Sequence, residues 1–144
     1  MLKKLQRPNI HYSALHHLYE FAGKFRNVNL SKGGFAFPAA RFLEASMATF
    51  EKEILTKLPQ KYAHEEALIK DVAMVHAELL FIHPFREGNG RTARILASLM
   101  IQNQGHAPLN FKGIDFDLYV KAVRMAAGKD YKLMEKLIGS ICFV

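Results

Sequence analysis

The sequence predicts an all-α fold that carries one short β-hairpin, and three observations lead there. Apolar residues recur at helical spacing in stretches closed off by Pro or Gly, the clearest run being Leu68, Val72, Val75, Leu79 and Ile82. One stretch alternates instead: Val28 and Leu30, then Phe35 and Phe37, flank Ser31-Lys32-Gly33-Gly34, as strands around a Gly-containing hairpin loop do. No repeat, low-complexity segment or linker divides the 144 residues, so one domain over 1–144 is expected, with the hairpin at about 27–38.

Taken in order, the chain begins with a helix expected from about Asn9 to Phe21, on Ile10, Leu15, Leu18 and Phe21, with Gly23 placed for a C-terminal cap. His11, His16 and His17 have no carboxylate or Cys at ligand spacing and are read as surface or capping residues. His64-Glu65-Glu66 lacks the second His of a zinc motif. An isolated hairpin is marginally stable, so the one at 27–38 must lean on helices or on a ligand. Pro38 suits the first turn of a helix running to about Leu58, with Phe42, Ala45, Met47, Phe50, Ile54 and Leu58 as its apolar face and Pro59 as its stop. The next helix spans about His64 to Ile82, with His76 as a satisfied core histidine. After a helix from Arg91 to Gln104, with Leu96, Leu99 and Met100 as its apolar positions, Gly105 to Gly113 is a loop. Asp115 then caps Phe116 to Ala127, Gly128 breaks that helix, and Asp130 caps a last one toward Ile138.

Composition narrows the function classes. Half the residues are hydrophobic and 23% charged, which is ordinary globular usage. Cys142 is the single cysteine, so no internal disulfide forms, and a reducing, cytoplasmic setting is the default. No run reaches the roughly 18 apolar residues of a membrane span, and Met1 to Pro8 lacks the apolar core of a signal peptide. The net charge of +7 suits an anionic partner, yet the cations are spread along the chain without a block, as on a solvated basic surface. Nucleic-acid binding has no recognisable module behind it.

The chemistry is concentrated in His83-Pro84-Phe85-Arg86-Glu87-Gly88-Asn89-Gly90-Arg91-Thr92-Ala93-Arg94. Pro84 biases His83 away from the α region and stops the preceding helix near Ile82. Gly88, Asn89 and Gly90 permit a tight, partly left-handed path that delivers backbone N–H groups to a helix N-terminus. Arg91 and Arg94, three apart on one face, add two cations at the positive pole of that helix. A bound polyanion resolves this conflict. Glu87 beside phosphates calls for a cation between them, and Mg²⁺, which uses one or two carboxylates plus substrate phosphates, fits. His83, with an ordinary imidazole pKa of about 6.5, can take a proton from an incoming hydroxyl near neutral pH. Phe85 reads as the hydrophobic anchor of the loop. Each piece alone also has a structural reading: a helix stop, a turn, a solvated face.

These residues match the pattern His-x-Phe-x-(Asp/Glu)-Gly-Asn-Gly-Arg-x-x-Arg at every specified position, and the chain resembles the Fic family. The resemblance implies transfer of AMP from ATP to a Ser, Thr or Tyr hydroxyl of a target protein, with release of pyrophosphate. His83 would be the general base and Glu87 the Mg²⁺ ligand. Gly88, Asn89, Gly90 and Arg91 would form the phosphate site, and Arg94 would hold the terminal phosphate. Doc-type kinases have a lysine in place of the arrangement seen here as Gly90 and Arg91, which favours AMP over phosphate transfer. The alternatives are transfer of another nucleotide or phosphate group by the same site, and a Fic-fold binding module without activity. The resemblance extends to Ala22-Gly23-Lys24-Phe25-Arg26 and the hairpin. By it, Val28, Asn29, Leu30, Ser31, Lys32, Gly33, Gly34 and Phe35 form a flap that docks an extended target segment.

Many Fic proteins are restrained by a helix bearing (Ser/Thr)-x-x-x-Glu-(Gly/Asn), whose glutamate pairs with the arginine matched here by Arg94. Thr49-Phe50-Glu51-Lys52-Glu53 has the spacing, but Ile54 replaces the Gly or Asn and the segment reads as core helix. The chain starts close to its first core helix, and no glutamate follows Glu135. Inhibition is therefore expected in trans, from a small antitoxin-like partner, or from a part of a longer protein. Delivery into another cell is the expectation if the protein is an effector.

Overall fold

A computed structural model describes His16 and residues 22–143, so the helix expected at Asn9 to Phe21, with His11 and His17, lies outside the described residues. His16 is exposed. Five α-helices and one two-stranded sheet make up the regular structure of the described residues, as the all-α reading with a hairpin requires. They are β1 (Ser31–Lys32), β2 (Phe35–Ala36), α1 (Leu43–Glu53), α2 (Glu65–Ile82), α3 (Asn89–Gln102), α4 (Phe116–Met125) and α5 (Lys132–Ile141). The chain forms two units, one of Met1–Leu58 with Ile82–Thr92, the other of Pro59–Phe81 with Ala93–Val144.

In the first unit, β1 and β2 pair antiparallel with Ser31 opposite Ala36 and Lys32 opposite Phe35. The two-residue loop between them is Gly33-Gly34, with φ of 57° and 76°. Two successive positive φ values are what a type I′ turn needs, and glycine adopts them without steric cost. The pairing continues past β2, where the Phe37 N–H donates to the Leu30 carbonyl at 3.0 Å. Helix α1 starts later than Pro38 suggests, because Ala40–Phe42 forms a 3-10 turn first. It buries Leu43, Met47 and Phe50, an i, i+4, i+7 stripe. Phe42 was expected on this face. It is instead 51% exposed, one position off the stripe and so about 100° around the helix, and the Arg41 guanidinium sits 4.7 Å from its ring centroid. Ala45 is also exposed, while Ile54 and Leu58 are half-buried in the 3-10 turn and extended segment that follow α1.

In the second unit, α2 begins with Glu65 and Glu66, acidic residues that suit the positive pole of its dipole. Leu68, Val72, Val75 and Leu79 are all 1% exposed or less, the inward stripe their spacing announces. Each buried side chain of this size contributes about 1.5–3 kcal/mol of hydrophobic stabilisation. Tyr62 donates its hydroxyl to Asp71 and its backbone N–H to the Gln104 side chain, closing the entry to α2. Asp115 caps α4 by accepting from the Leu118 N–H at 2.9 Å. The break after α4 falls one residue beyond Gly128, since Lys129 takes the left-handed conformation at φ 58° and donates its ammonium to buried Glu78. Asp130 accepts from the Lys132 N–H, although Tyr131 occupies the N-cap of α5. Helix α5 buries Met134, Leu137 and Ile138. Cys142 is buried, and burial raises its thiol pKa to about 11, so it is inert rather than reactive.

Candidate active site

The site of the first unit is built on the end of α2. That helix stops at Ile82, and His83 follows with φ of 53°, the left-handed position that often closes a helix, with proline directly after it. A non-glycine residue there costs about 1–2 kcal/mol, so surrounding contacts must hold it. Two side chains supply them, and a third fixes the loop that follows.

Arg26 is the first. It is only 4% exposed, and its guanidinium donates from Nε to the His83 carbonyl at 2.7 Å and from Nη2 weakly to the Ile82 carbonyl at 3.4 Å. The same guanidinium donates to the carbonyls of Val28 at 2.9 Å and Pro38 at 2.5 Å, the two ends of the hairpin segment. Its backbone N–H donates to the Pro84 carbonyl at 2.9 Å. Burial lowers the Arg26 pKa, and the carbonyl oxygens compensate the cation for lost water. Arg26 thus ties the feet of the hairpin to the histidine loop.

Phe37 is the second. Its ring lies against the His83 imidazole with centroids 3.8 Å apart and planes at 12°. A face-on stack restrains the plane of the imidazole and uses neither ring nitrogen. Phe35 meets Phe37 edge-on at 5.4 Å, so the two alternate residues of the strand form one aromatic face. Asn89 is the third. Its Oδ1 accepts from the Phe85 N–H at 2.8 Å and its Nδ2 donates to the Phe85 carbonyl at 2.7 Å. This pair of hydrogen bonds closes the loop 85–89 on itself, while the Phe85 ring is fully buried against Phe25 at 5.9 Å.

Beyond the loop, Gly88 has φ of 80° and its carbonyl accepts from the Thr92 N–H at 2.9 Å, so it serves as the N-cap of α3. The helix begins at Asn89, two residues earlier than expected, which draws Asn89 and Gly90 out of the loop into the first turn. The N–H groups of Gly88, Asn89, Gly90 and Arg91 have no intrahelical acceptor at such an end. No acidic residue lies in that turn, Glu87 is exposed just before it, and Arg91 is exposed within it. One turn along the same helix, Arg94 is also exposed and lines a groove of about 420 Å³ in the second unit with Leu99, Leu109, Phe111 and Lys112. No group of three His, Cys, Asp or Glu among the described residues could cage a metal ion. Glu87 is a single exposed carboxylate beside a helix N-terminus, and one or two carboxylates together with substrate phosphates are what Mg²⁺ commonly uses. Thr49 to Glu53 lies in α1 as expected, with Glu53 paired to Lys57 at 2.7 Å.

The family model described as the Fic/DOC family matches residues 5–101. The chain belongs to the Fic/DOC family. Over 124 residues it is 32% identical to a protein adenylyltransferase Fic of Nematostella vectensis, covering 85% of this chain and 28% of that protein. A probable protein adenylyltransferase of Sinorhizobium fredii is 34% identical over 103 residues, 67% of this chain and 53% of that one. The Fic-family chain therefore spans about half or less of the length of these relatives. The crystal structure of BepC, a VirB-translocated effector of Bartonella tribocorum with bound AMPPNP, superposes with a TM-score of 0.79 over 94% of this chain and 72% of that one. At 24% identity that likeness establishes the shared fold.

Sequence reasoning placed Arg26 in the segment leading into the hairpin and Phe37 in the hairpin itself, but gave neither a role at His83. The alternation that revealed the hairpin contained the signal for Phe37, since it shares a strand face with Phe35. Arg26 makes its contacts through carbonyls up to 57 positions away, which leave no residue-type pattern. No helix among the described residues is long and apolar enough to cross a membrane.

Proposed function

We propose that this chain is a protein adenylyltransferase that moves AMP from ATP to a hydroxyl of a target protein. The observation that carries the reading is His83 braced by Phe37 and Arg26 a few residues before a helix N-terminus, whose first N–H groups have no intrahelical acceptor. A braced imidazole beside an anion-binding turn is the minimum that hydroxyl-to-phosphorus transfer needs. The adenylyltransferase names of the relatives support AMP as the group transferred.

In this reading the His83 imidazole takes the proton from the target hydroxyl as its oxygen bonds to the α-phosphorus of ATP. The bond from that phosphorus to the bridging oxygen breaks, and pyrophosphate leaves with the electron pair. The N–H groups of Gly88 to Arg91, together with the Arg91 guanidinium, stabilise charge on the phosphate oxygens. Asn89 contributes through its backbone, because its side chain is committed to Phe85. Arg94 takes the terminal phosphate. Glu87 would hold Mg²⁺, which when bound would neutralise charge on the phosphates.

The hairpin receives the target. In an antiparallel pair whose Leu30–Phe37 rung is hydrogen-bonded, the intervening Ser31 turns its N–H and carbonyl to the outer edge. An extended target segment adds there as a further strand, with Val28, Asn29, Leu30, Lys32, Gly33, Gly34 and Phe35 as its neighbours. Restraint by a small antitoxin-like partner, or by another part of a longer protein, belongs to the same reading, with Glu53 paired to Lys57, and a cytoplasmic setting fits the lone buried Cys142.

Incubating the protein with Mg²⁺, a bacterial lysate and each of ATP, GTP, UTP and CTP labelled at the α-phosphate tests the donor. Protein-bound label from ATP above the other three supports AMP transfer. Label from another nucleotide above ATP assigns the site to a different nucleotidyl group.

A further inference from the structure

Among the described residues of the first unit, the large apolar side chains left exposed are Val28, at 39%, and Phe42, at 51%. Hydrogen bonds bring both to the foot of the hairpin. The Arg26 guanidinium donates to the Val28 and Pro38 carbonyls together, and the Asn29 Oδ1 accepts from the Ala40 N–H at 2.8 Å. The Ala39 carbonyl accepts from the Phe42 N–H at 3.0 Å. These bonds lay Val28 and Asn29 alongside residues 38–40, and Arg41 and Phe42 follow directly.

The same segment has one sign of charge. No Asp or Glu occurs from Ala22 to Leu43, while Lys24, Lys32 and Arg41 are exposed there. Arg26, the fourth cation, is buried and committed to carbonyls. Arg41 sits 4.7 Å from the Phe42 ring centroid, and an arginine held over a ring keeps its planar fork of donors for a carboxylate. At the outer edge of β1, Ser31 offers its N–H and carbonyl to a further strand. A second copy of the hairpin would bring like charges together at that edge, which works against pairing. A polypeptide segment of opposite sign meets no such repulsion.

We propose that the hairpin and its foot select acidic target segments, with carboxylates drawn to Lys32 and Arg41 and one large apolar side chain covering Val28 and Phe42. Arg41 and Phe42 are then specificity-determining residues that lie outside the stretch from His83 to Arg94. The proposal rests on the reading of the hairpin as the edge that docks the target. Backbone pairing supplies affinity but reads few side chains, so discrimination falls to flanking contacts such as these.

The test measures fluorescence anisotropy with the whole chain and labelled synthetic peptides, in which a tyrosine sits among alternating Glu and Val with one Phe. The acidic peptide is expected to bind about tenfold more tightly than a copy with Gln for every Glu, an advantage that shrinks as salt is added. Arg41→Glu is expected to remove most of that advantage, and Phe42→Ser to weaken both peptides several-fold. Both side chains are exposed, so the fold should tolerate the changes, which thermal unfolding checks. Equal binding of the two peptides, no binding of either, or an advantage untouched by Arg41→Glu overturns the proposal. Ser31→Pro separates it from the reading it rests on, because it removes the outward N–H and leaves the rungs on either side, Leu30–Phe37 and Lys32–Phe35. It is expected to weaken both peptides alike. If the acidic peptide binds Ser31→Pro as tightly as the wild type, strand addition at β1 falls and the acidic preference stands.

Discussion

The Phe37 ring stacks face-on against the His83 imidazole at 3.8 Å, so the strand that leaves the hairpin also sets the plane of the proposed base. Phe37→Ala removes that restraint. An aromatic pair is worth about 0.5–1.5 kcal/mol, so transfer is expected to slow by up to about tenfold with the fold intact. Steady-state kinetics beside thermal unfolding checks this, and an unchanged rate means the stack does not serve the chemistry.

Arg26 makes a stability prediction. Its guanidinium serves carbonyls at both feet of the hairpin and at His83, and Lys cannot reproduce that planar fork. Arg26→Lys is expected to lose about 2–3 kcal/mol in urea unfolding, because buried carbonyls are left unpaired. Transfer activity is expected to fall further than stability alone explains, since the loop carrying His83 loosens.

The hairpin at Val28 to Phe37 was legible because Gly33-Gly34 can supply two positive φ values and the flanking residues alternate. Helix α2 was legible because its apolar stripe is long. Helix α1 was misjudged at Phe42, where an aromatic residue beside the stripe imitates a member of it; only the phase set by Leu43, Met47 and Phe50 distinguishes them. At the site, the motif from His83 to Arg94 declared itself by joint residue types. The bracing by Arg26, and the bonds of His76 to the Ala93 carbonyl and the Tyr119 hydroxyl, depend on distant partners and rotamers, which periodicity does not encode.

Asn89 tests the closure of the loop. Asn89→Asp keeps an acceptor for the Phe85 N–H but loses the donor to the Phe85 carbonyl, and Asn89→Ala loses both. Losses of about 1–2 kcal/mol for Asp and more for Ala are expected in chemical denaturation. Equal stability of all three proteins contradicts a stabilising role for this pair of hydrogen bonds.

His76 sets a pH dependence. Burial first, and the Arg94 charge as a lesser cause, hold its pKa at about 4 in the folded chain against an ordinary 6.5, while its bond to the Ala93 carbonyl opposes the shift. The unfolded chain therefore binds more protons between those values, and stability rises with pH across that window. The His76 contribution is fully present above about pH 6.5 and is lost as pH falls toward 4, by about 3 kcal/mol in all. Urea unfolding of the wild type and His76→Gln at pH 7.5 and 4.5 checks the sign: the wild type should lose more stability than the variant.

The central claim is that His83 drives transfer of AMP, and it is tested most directly by following two labels of ATP in parallel. With wild-type protein, label at the α-phosphate should appear on a target protein and label at the γ-phosphate should not, while His83→Ala should transfer neither. Label from the γ-phosphate alone, or undiminished α-label with His83→Ala, would contradict it.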